Sequence, residues 1–260
     1  MLISTTHTRP LIIGHRGASH DAPENTLEAF RLAWEQGADG IEADFRLTAD
    51  GRIVCMHDEV TTRTTGVALK VADTQLESLQ RLDAGSFKGA DWSGAVIPTL
   101  DEILSEMPYD SWFFIELKCG PEIIVPLEQL LLSSGHSPER IRLLSFSLPL
   151  ITMIRQRLPK WYACWNSDYK YNILNNIWRP SQTEVLVALQ SSVADGLSSA
   201  DRTILDQKLV DALREQGKEI HVWTVDRLDA AERLRHLGVN SIMTNRPGWL
   251  RKQMAEVQTP

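Results

Sequence analysis

Short apolar runs rich in β-formers alternate with amphipathic helical stretches along almost the whole of this 260-residue chain. That rhythm restricts the fold more than any other feature. The apolar runs fall at 11–15, 40–45, 53–57, 112–117, 141–146, 161–165, 196–198, 219–225 and 241–244. Helical periodicity fills 26–36, 100–107, 121–134, 149–157, 206–216 and 228–237. Several helical stretches stop at a glycine, at Gly37, Gly135, Gly217 and Gly238, as expected where a left-handed C-terminal cap would strain any Cβ. Strand–helix alternation of this kind builds a parallel sheet covered by helices. Eight such units in about 250 residues close into one α/β domain, the (β/α)8 TIM barrel. A single domain over 1–260 is the expectation.

Nine runs are one more than the barrel needs. The runs at 40–45 and 53–57 are separated by a few residues containing Asp50-Gly51. A parallel crossover needs a dozen residues or more, so these two must be antiparallel. A hairpin centred on Asp50-Gly51 would set Asp44 opposite His57 and return His57 to the barrel mouth. The segment 59–98 has no strand–helix rhythm and reads as a small insertion after the second barrel strand, capping that mouth. The segment 172–184 reads as a loop with a short helix.

Bulk composition removes several functional classes. With 43% hydrophobic and 23% charged residues the chain is not a disordered one. A net charge of −7 argues against nucleic-acid binding and against general attraction to anionic membranes. It contains no run of about 20 apolar residues, so no membrane span is expected. The opening MLISTTHTRP lacks the layout of a signal peptide. Cys55, Cys119 and Cys164 are odd in number and far apart, which predicts free thiols and a cytoplasmic location. The pattern leaves the oligomeric state open.

In a (β/α)8 barrel the reactive groups stand at the C-terminal ends of the strands. There the sequence puts His15-Arg16, Glu42 with Asp44, His57, Glu116 with Lys118, and Trp223. Residues two apart on a strand share a face, so Glu42/Asp44 and Glu116/Lys118 point into one cleft. Any one of these acids could pair with a basic neighbour. Three together repel unless a cation neutralises them, and a hard ion with oxygen ligands, Mg²⁺ or Ca²⁺, is the simplest solution. His15 and His57 suit a general acid and base near neutral pH. Arg16 suits bidentate contact with phosphate oxygens, and Lys118 adds positive charge. Trp223 offers an apolar wall. Glu24 stands near the mouth, where contact with the site is one reading and a helix-capping or solvent-facing role the stronger one; Cys55 reads as a small buried hydrophobe. A cation, two basic side chains and two histidines together ask for a phosphate ester.

The stretches HRGASHDAPENTLEAF from His15, GADGIEADFRLTADGRIVCMHD from Gly37, RTTG from Arg63, LDAGS from Leu82, IPTLDEIL from Ile97, IELK from Ile115 and VWTVD from Val222 resemble the motifs of the glycerophosphodiester phosphodiesterases, in the same order. The resemblance implies metal-dependent hydrolysis of glycerophosphodiesters, the deacylated phospholipid head groups, to glycerol 3-phosphate and an alcohol. It implies His15 and His57 as the acid/base pair and Glu42, Asp44 and Glu116 as metal ligands. Arg16, Lys118 and Trp223 would be the substrate contacts. A lysolipid substrate and a non-catalytic binding role are the competing expectations. One departure stands out: the family usually closes its last strand with Thr-Asp, and here it is Thr244-Asn245.

Overall fold

The computed structural model describes residues 9–256. The strands among the described residues are β1 (Leu11–His15), β2 (Gly40–Leu47), β3 (Ile53–Cys55), β4 (Trp112–Leu117), β5 (Ile141–Ser145), β6 (Tyr162–Ser167), β7 (Lys170–Asn172), β8 (Ile177–Arg179), β9 (Gly196–Ala200), β10 (Glu219–Trp223) and β11 (Ser241–Thr244). Eight of them pair in parallel around a closed ring, β1-β2-β4-β5-β6-β9-β10-β11, with β11 returning to β1. The α-helices among the described residues are α1 (Leu27–Glu35), α2 (Thr62–Thr65), α3 (Leu76–Gln80), α4 (Leu100–Glu106), α5 (Ile124–Ser133), α6 (Leu148–Arg157), α7 (Gln182–Ser192), α8 (Gln207–Glu215), α9 (Leu228–Leu237) and α10 (Pro247–Glu256). No helix among the described residues is long and apolar enough to cross a membrane. The expected fold class is the observed one.

Two cores hold the ring. Outward-facing strand residues such as Ile41, Ile115, Leu143 and Val222 pack against helix residues including Phe30, Leu127, Ile151 and Leu213, all fully buried. Inside the ring, Leu11, Ile13, Phe114, Leu144, Cys164 and Met243 fill the middle. The strands approach closely where the sequence is small: a Cβ on Gly40 would lie 2.2 Å from the Trp112 carbonyl oxygen.

The surplus run is an antiparallel partner of β2, as expected, but its register is shifted by one residue. The observed pairs are Phe45↔Cys55, Arg46↔Val54 and Leu47↔Ile53, and the Met56 amide donates to the Asp44 carbonyl. Asp44 therefore lies opposite Met56, not His57. The cause is the turn. Gly51 is left-handed (φ 74°) and closes a three-residue loop between Thr48 and Arg52, so the bend centres on Asp50 alone.

The segment 59–98 carries α2 and α3, and its Val71, Leu79, Ala84 and Ile97 form a small core with Val54 and Met56 of the returning hairpin arm. Two of its side chains reach the loop after β1: Lys88 Nζ donates to the Ser19 carbonyl and Arg63 pairs with Glu24. The segment 172–184 is more ordered than a loop. Strands β7 and β8 form a hairpin there, and α7 begins under a capping box in which Ser181 and Glu184 satisfy each other's backbone amides.

Candidate active site

The loops after β1, β3 and β4 converge at the C-terminal mouth of the ring. A cleft there is lined by His15, Arg16, Glu42, His57, Glu116 and Lys118 on one side and by Leu144, Phe146, Asn166, Trp223 and Met243 on the other. Seven of the eight predicted site residues line it; the eighth, Asp44, lies beneath, fully buried. A larger hollow of about 450 Å³ opens at the other end of the barrel around Arg9, Asp39, Trp112 and Arg140. Its acid Asp39 is already paired with Arg9 and Arg251.

Three carboxylates meet in the cleft floor. Glu42, Asp44 and Glu116 bring oxygens within 4.8 Å of one another. Asp44 accepts from the Asn25 amide (2.9 Å) and faces Arg16 Nε at 3.1 Å and Lys118 Nζ at 3.2 Å. Burial opposes its ionisation, yet Arg16, Lys118 and His57 hold its carboxyl below the ordinary range. Glu116 lies 2.5 Å from Lys118 Nζ, but burial and the Asp44 charge push it up to about 7. Glu42 accepts the Arg16 backbone N–H at 3.0 Å; burial, then Asp44, push it up to about 8. Glu42 Oε1 is buried without a hydrogen bond, while Asp44 Oδ1 and Glu116 Oε1 share the single Lys118 ammonium. Three carboxylates this close in low dielectric, short of donors, are the oxygen set a hard divalent ion takes.

The histidines are held differently. His15, at the end of β1, has Nδ1 2.8 Å from Asn245 Oδ1 and Nε2 3.9 Å from Glu42. His57 has Nδ1 2.6 Å from Asp58 Oδ1. Burial lowers the pKa of both; Arg16 lowers that of His15 further, and Asp44 works against the shift in His57. His57 lies beyond the last residue of β3, and Arg46 keeps it there: the guanidinium donates to the His57 carbonyl (2.8 and 3.1 Å) and to the Lys118 carbonyl (3.0 Å). One arginine thus ties the returning hairpin to the end of β4.

The roles of several site residues were only partly legible in the sequence. Glu24 is neither a cap nor solvent-facing. It accepts from Arg16 (2.9 Å) and from both terminal nitrogens of Arg63 (2.8 Å each), and Arg63 Nε continues to Asp58 (2.6 Å). The cap of α1 is Thr26. Asn25 holds Asp44 and also accepts from the Cys55 thiol at 3.1 Å, so Cys55 is buried as expected but packs against the site. Arg16 and Asn25 both have positive φ, 56° and 59°, an unfavourable backbone state that tends to persist at functional positions. Phe146 stacks edge-on to Trp223 (5.7 Å) and lies under the Lys118 ammonium (5.5 Å). The available signal for Glu24 and Asn25 was their place in the loop joining β1 to α1, at the mouth.

Comparison with known proteins supplies a second, independent line. The sequence pattern of the glycerophosphoryl diester phosphodiesterase family matches residues 15–249. A glycerophosphodiester phosphodiesterase of Caldanaerobacter subterraneus subsp. tengcongensis is 33% identical over 244 residues, covering 92% of this chain and 95% of the relative. Among solved structures, a phosphodiesterase of Oleispira antarctica in complex with the product sn-glycerol-3-phosphate superposes with a TM-score of 0.82 at 25% identity, over 95% of this chain and 97% of that one. A glycerophosphodiester phosphodiesterase of Agrobacterium tumefaciens superposes with a TM-score of 0.78 at 27% identity, over 94% and 99%.

Proposed function

The chain belongs to the glycerophosphoryl diester phosphodiesterase family, and we propose that it hydrolyses small deacylated glycerophosphodiesters to glycerol 3-phosphate and an alcohol with one bound divalent cation and a histidine pair. The phosphodiesterase activity follows from that membership. The observation that carries the finer reading is the floor of three buried carboxylates, with Glu42 Oε1 bare and one ammonium shared by Asp44 and Glu116, beside Arg16 and two histidines.

Glu42, Asp44 and Glu116 would hold the cation, Mg²⁺ or Ca²⁺. When bound, it supplies Lewis-acid neutralisation of phosphoryl charge. Arg16 and Lys118 contribute donors at the same oxygens, already oriented by Glu24, Asp44 and Glu116, so little reorganisation is needed as charge develops. One histidine takes the proton of the attacking oxygen as its bond to phosphorus forms. The other gives a proton to the alcohol oxygen as the phosphorus–oxygen bond breaks. Trp223 and Phe146 form the wall against which the organic part of the ester packs.

The test is release of glycerol 3-phosphate from glycerophosphocholine and glycerophosphoethanolamine, with lysophosphatidylcholine in parallel, each with and without chelator. Release from the two deacylated esters, lost on chelation and restored by Mg²⁺ or Ca²⁺, is the expected result. No release under any divalent ion would overturn the substrate assignment. Activity indifferent to chelator would overturn the metal assignment.

A further inference from the structure

Asn245 follows the last residue of β11 and Asp226 lies three residues past the end of β10. The Asp226 carboxylate accepts from Thr244 Oγ1 (2.8 Å) and the Asn245 backbone N–H (2.8 Å) on one oxygen, and from the Asn245 side chain (2.6 Å) on the other. An ionised carboxylate can only accept, so the amide group facing it must be the NH₂. That fixes the amide: its carbonyl oxygen has to face the other way. There it meets His15 Nδ1 at 2.8 Å and the Ser19 hydroxyl at 2.9 Å.

An amide oxygen cannot donate, so Nδ1 of a neutral His15 has to carry the proton. The other nitrogen, Nε2, is then left with its lone pair. Nε2 is the atom nearer Glu42, at 3.9 Å, beyond hydrogen-bond reach, and His15 lines the cleft. We propose that Asn245, clamped by Asp226, is a positioning residue that holds His15 in the Nδ1–H tautomer and aims a bare Nε2 at the substrate. This rests on the phosphodiesterase reading only for its catalytic consequence: a histidine so held is the one ready to accept a proton. The tautomer itself follows from the Asp226–Asn245–His15 chain of contacts.

Two-bond ¹H–¹⁵N correlation spectra of histidine-labelled protein read the tautomer directly, with His15→Gln identifying the signal among seven histidines. The wild type should show a pyrrole-like Nδ1 and a pyridine-like Nε2. Asn245→Leu removes the acceptor; His15 should then populate both tautomers, and kcat should fall roughly 10-fold or more, short of the roughly 10²–10⁴-fold cost of losing a general base outright, with KM unmoved. The exchanged pair, Asn245→Asp with Asp226→Asn, restores a donor facing an acceptor at each contact and should recover the Nδ1–H tautomer and kcat to within a few-fold. An Nε2–H tautomer in the wild type overturns the proposal without any variant having to fold. So does a tautomer indifferent to Asn245→Leu. A shifted tautomer with unchanged kcat overturns the catalytic consequence. Absence of phosphodiesterase activity would instead sink the functional reading, and the spectra would still decide the positioning.

Discussion

The two ends of the barrel interior use the same residue types to opposite effect. At the N-terminal end, Cys164, Glu219 and His221 bring ligand-type atoms within 4.8 Å of one another, as Glu42, Asp44 and Glu116 do at the mouth. There the resemblance stops. Arg142 donates two bonds to Glu219 (2.6 and 2.8 Å) while lying over Trp112 and Tyr162 at 4.7 and 4.3 Å. His221 bridges Glu219 (3.2 Å) and Ser241 (2.9 Å). One carboxylate meets one guanidinium and its acceptors are taken; although burial resists ionisation, His221 and Arg142 hold Glu219 down to about 2. At the mouth three carboxylates share Arg16 and Lys118, and Arg16 is also claimed by Glu24. Two acids there are pushed up toward neutrality. Composition does not separate a polar core from a reaction site; charge closure does.

The sharpest way to break this contrast is to remove a mouth residue and ask whether the fold notices. His57→Ala should cut the rate of glycerol 3-phosphate release by roughly 10²–10⁴-fold with an unchanged melting profile. Glu42→Gln should abolish metal-dependent turnover yet raise the melting temperature of the metal-free protein near neutral pH, because it replaces a carboxyl that must take up a proton to be buried there with an amide that need not. The converse experiment is Arg142→Leu. Leaving Glu219 buried without its partner should cost about 3–5 kcal/mol in denaturant unfolding, with kcat per folded molecule unaltered. A stable Arg142→Leu protein, or one inactive though folded, would erase the distinction.

A smaller effect separates the ends by pH. Glu42 and Glu116, raised to about 8 and about 7, retain protons in the folded metal-free protein that the unfolded chain has released. The native state then binds more protons, so stability falls as pH rises through that window. Burial lowers His15, His57 and His221; these act in the other direction, but only below about pH 6.5, where the unfolded chain gains protons. Glu219, lowered, contributes stability that is lost only as pH falls below the ordinary carboxylate range toward about 2. Melting of chelated protein should therefore weaken between about pH 6.5 and 8. Saturating Mg²⁺ or Ca²⁺, which replaces those protons, should flatten the profile. A flat metal-free profile would remove the claim of uncompensated charge. The smallest effect is expected from Cys164→Ala, which should leave both activity and bound metal unchanged; loss of an ion would mean that the lower cluster is also a metal site.

The sequence made the ring legible because period and capping agree along it, from the β1 run to the glycine after α9. The acids were legible because the strand period puts Glu42 with Asp44 on one face. What escaped depends on contacts across the chain. The β7–β8 hairpin shows no inside–outside alternation, since its tip residues Ile173 and Leu174 are 80% and 94% exposed. Glu24 is unreadable without Arg63, 39 residues away. The one-residue register shift at Asp44 turned on whether the loop before Arg52 holds two residues or three, which local composition does not decide.

The ring's seam adds a temporal order to the site. His15, Arg16, Glu42, Asp44 and His57 all lie in the first quarter of the chain, but the residue that orients His15 stands 230 positions later, where β11 closes against β1. A ribosome delivers the acids and both histidines long before it delivers Asn245. Full turnover is thus withheld from an unclosed ring, and the enzyme's activity doubles as a report that its last strand has found its first.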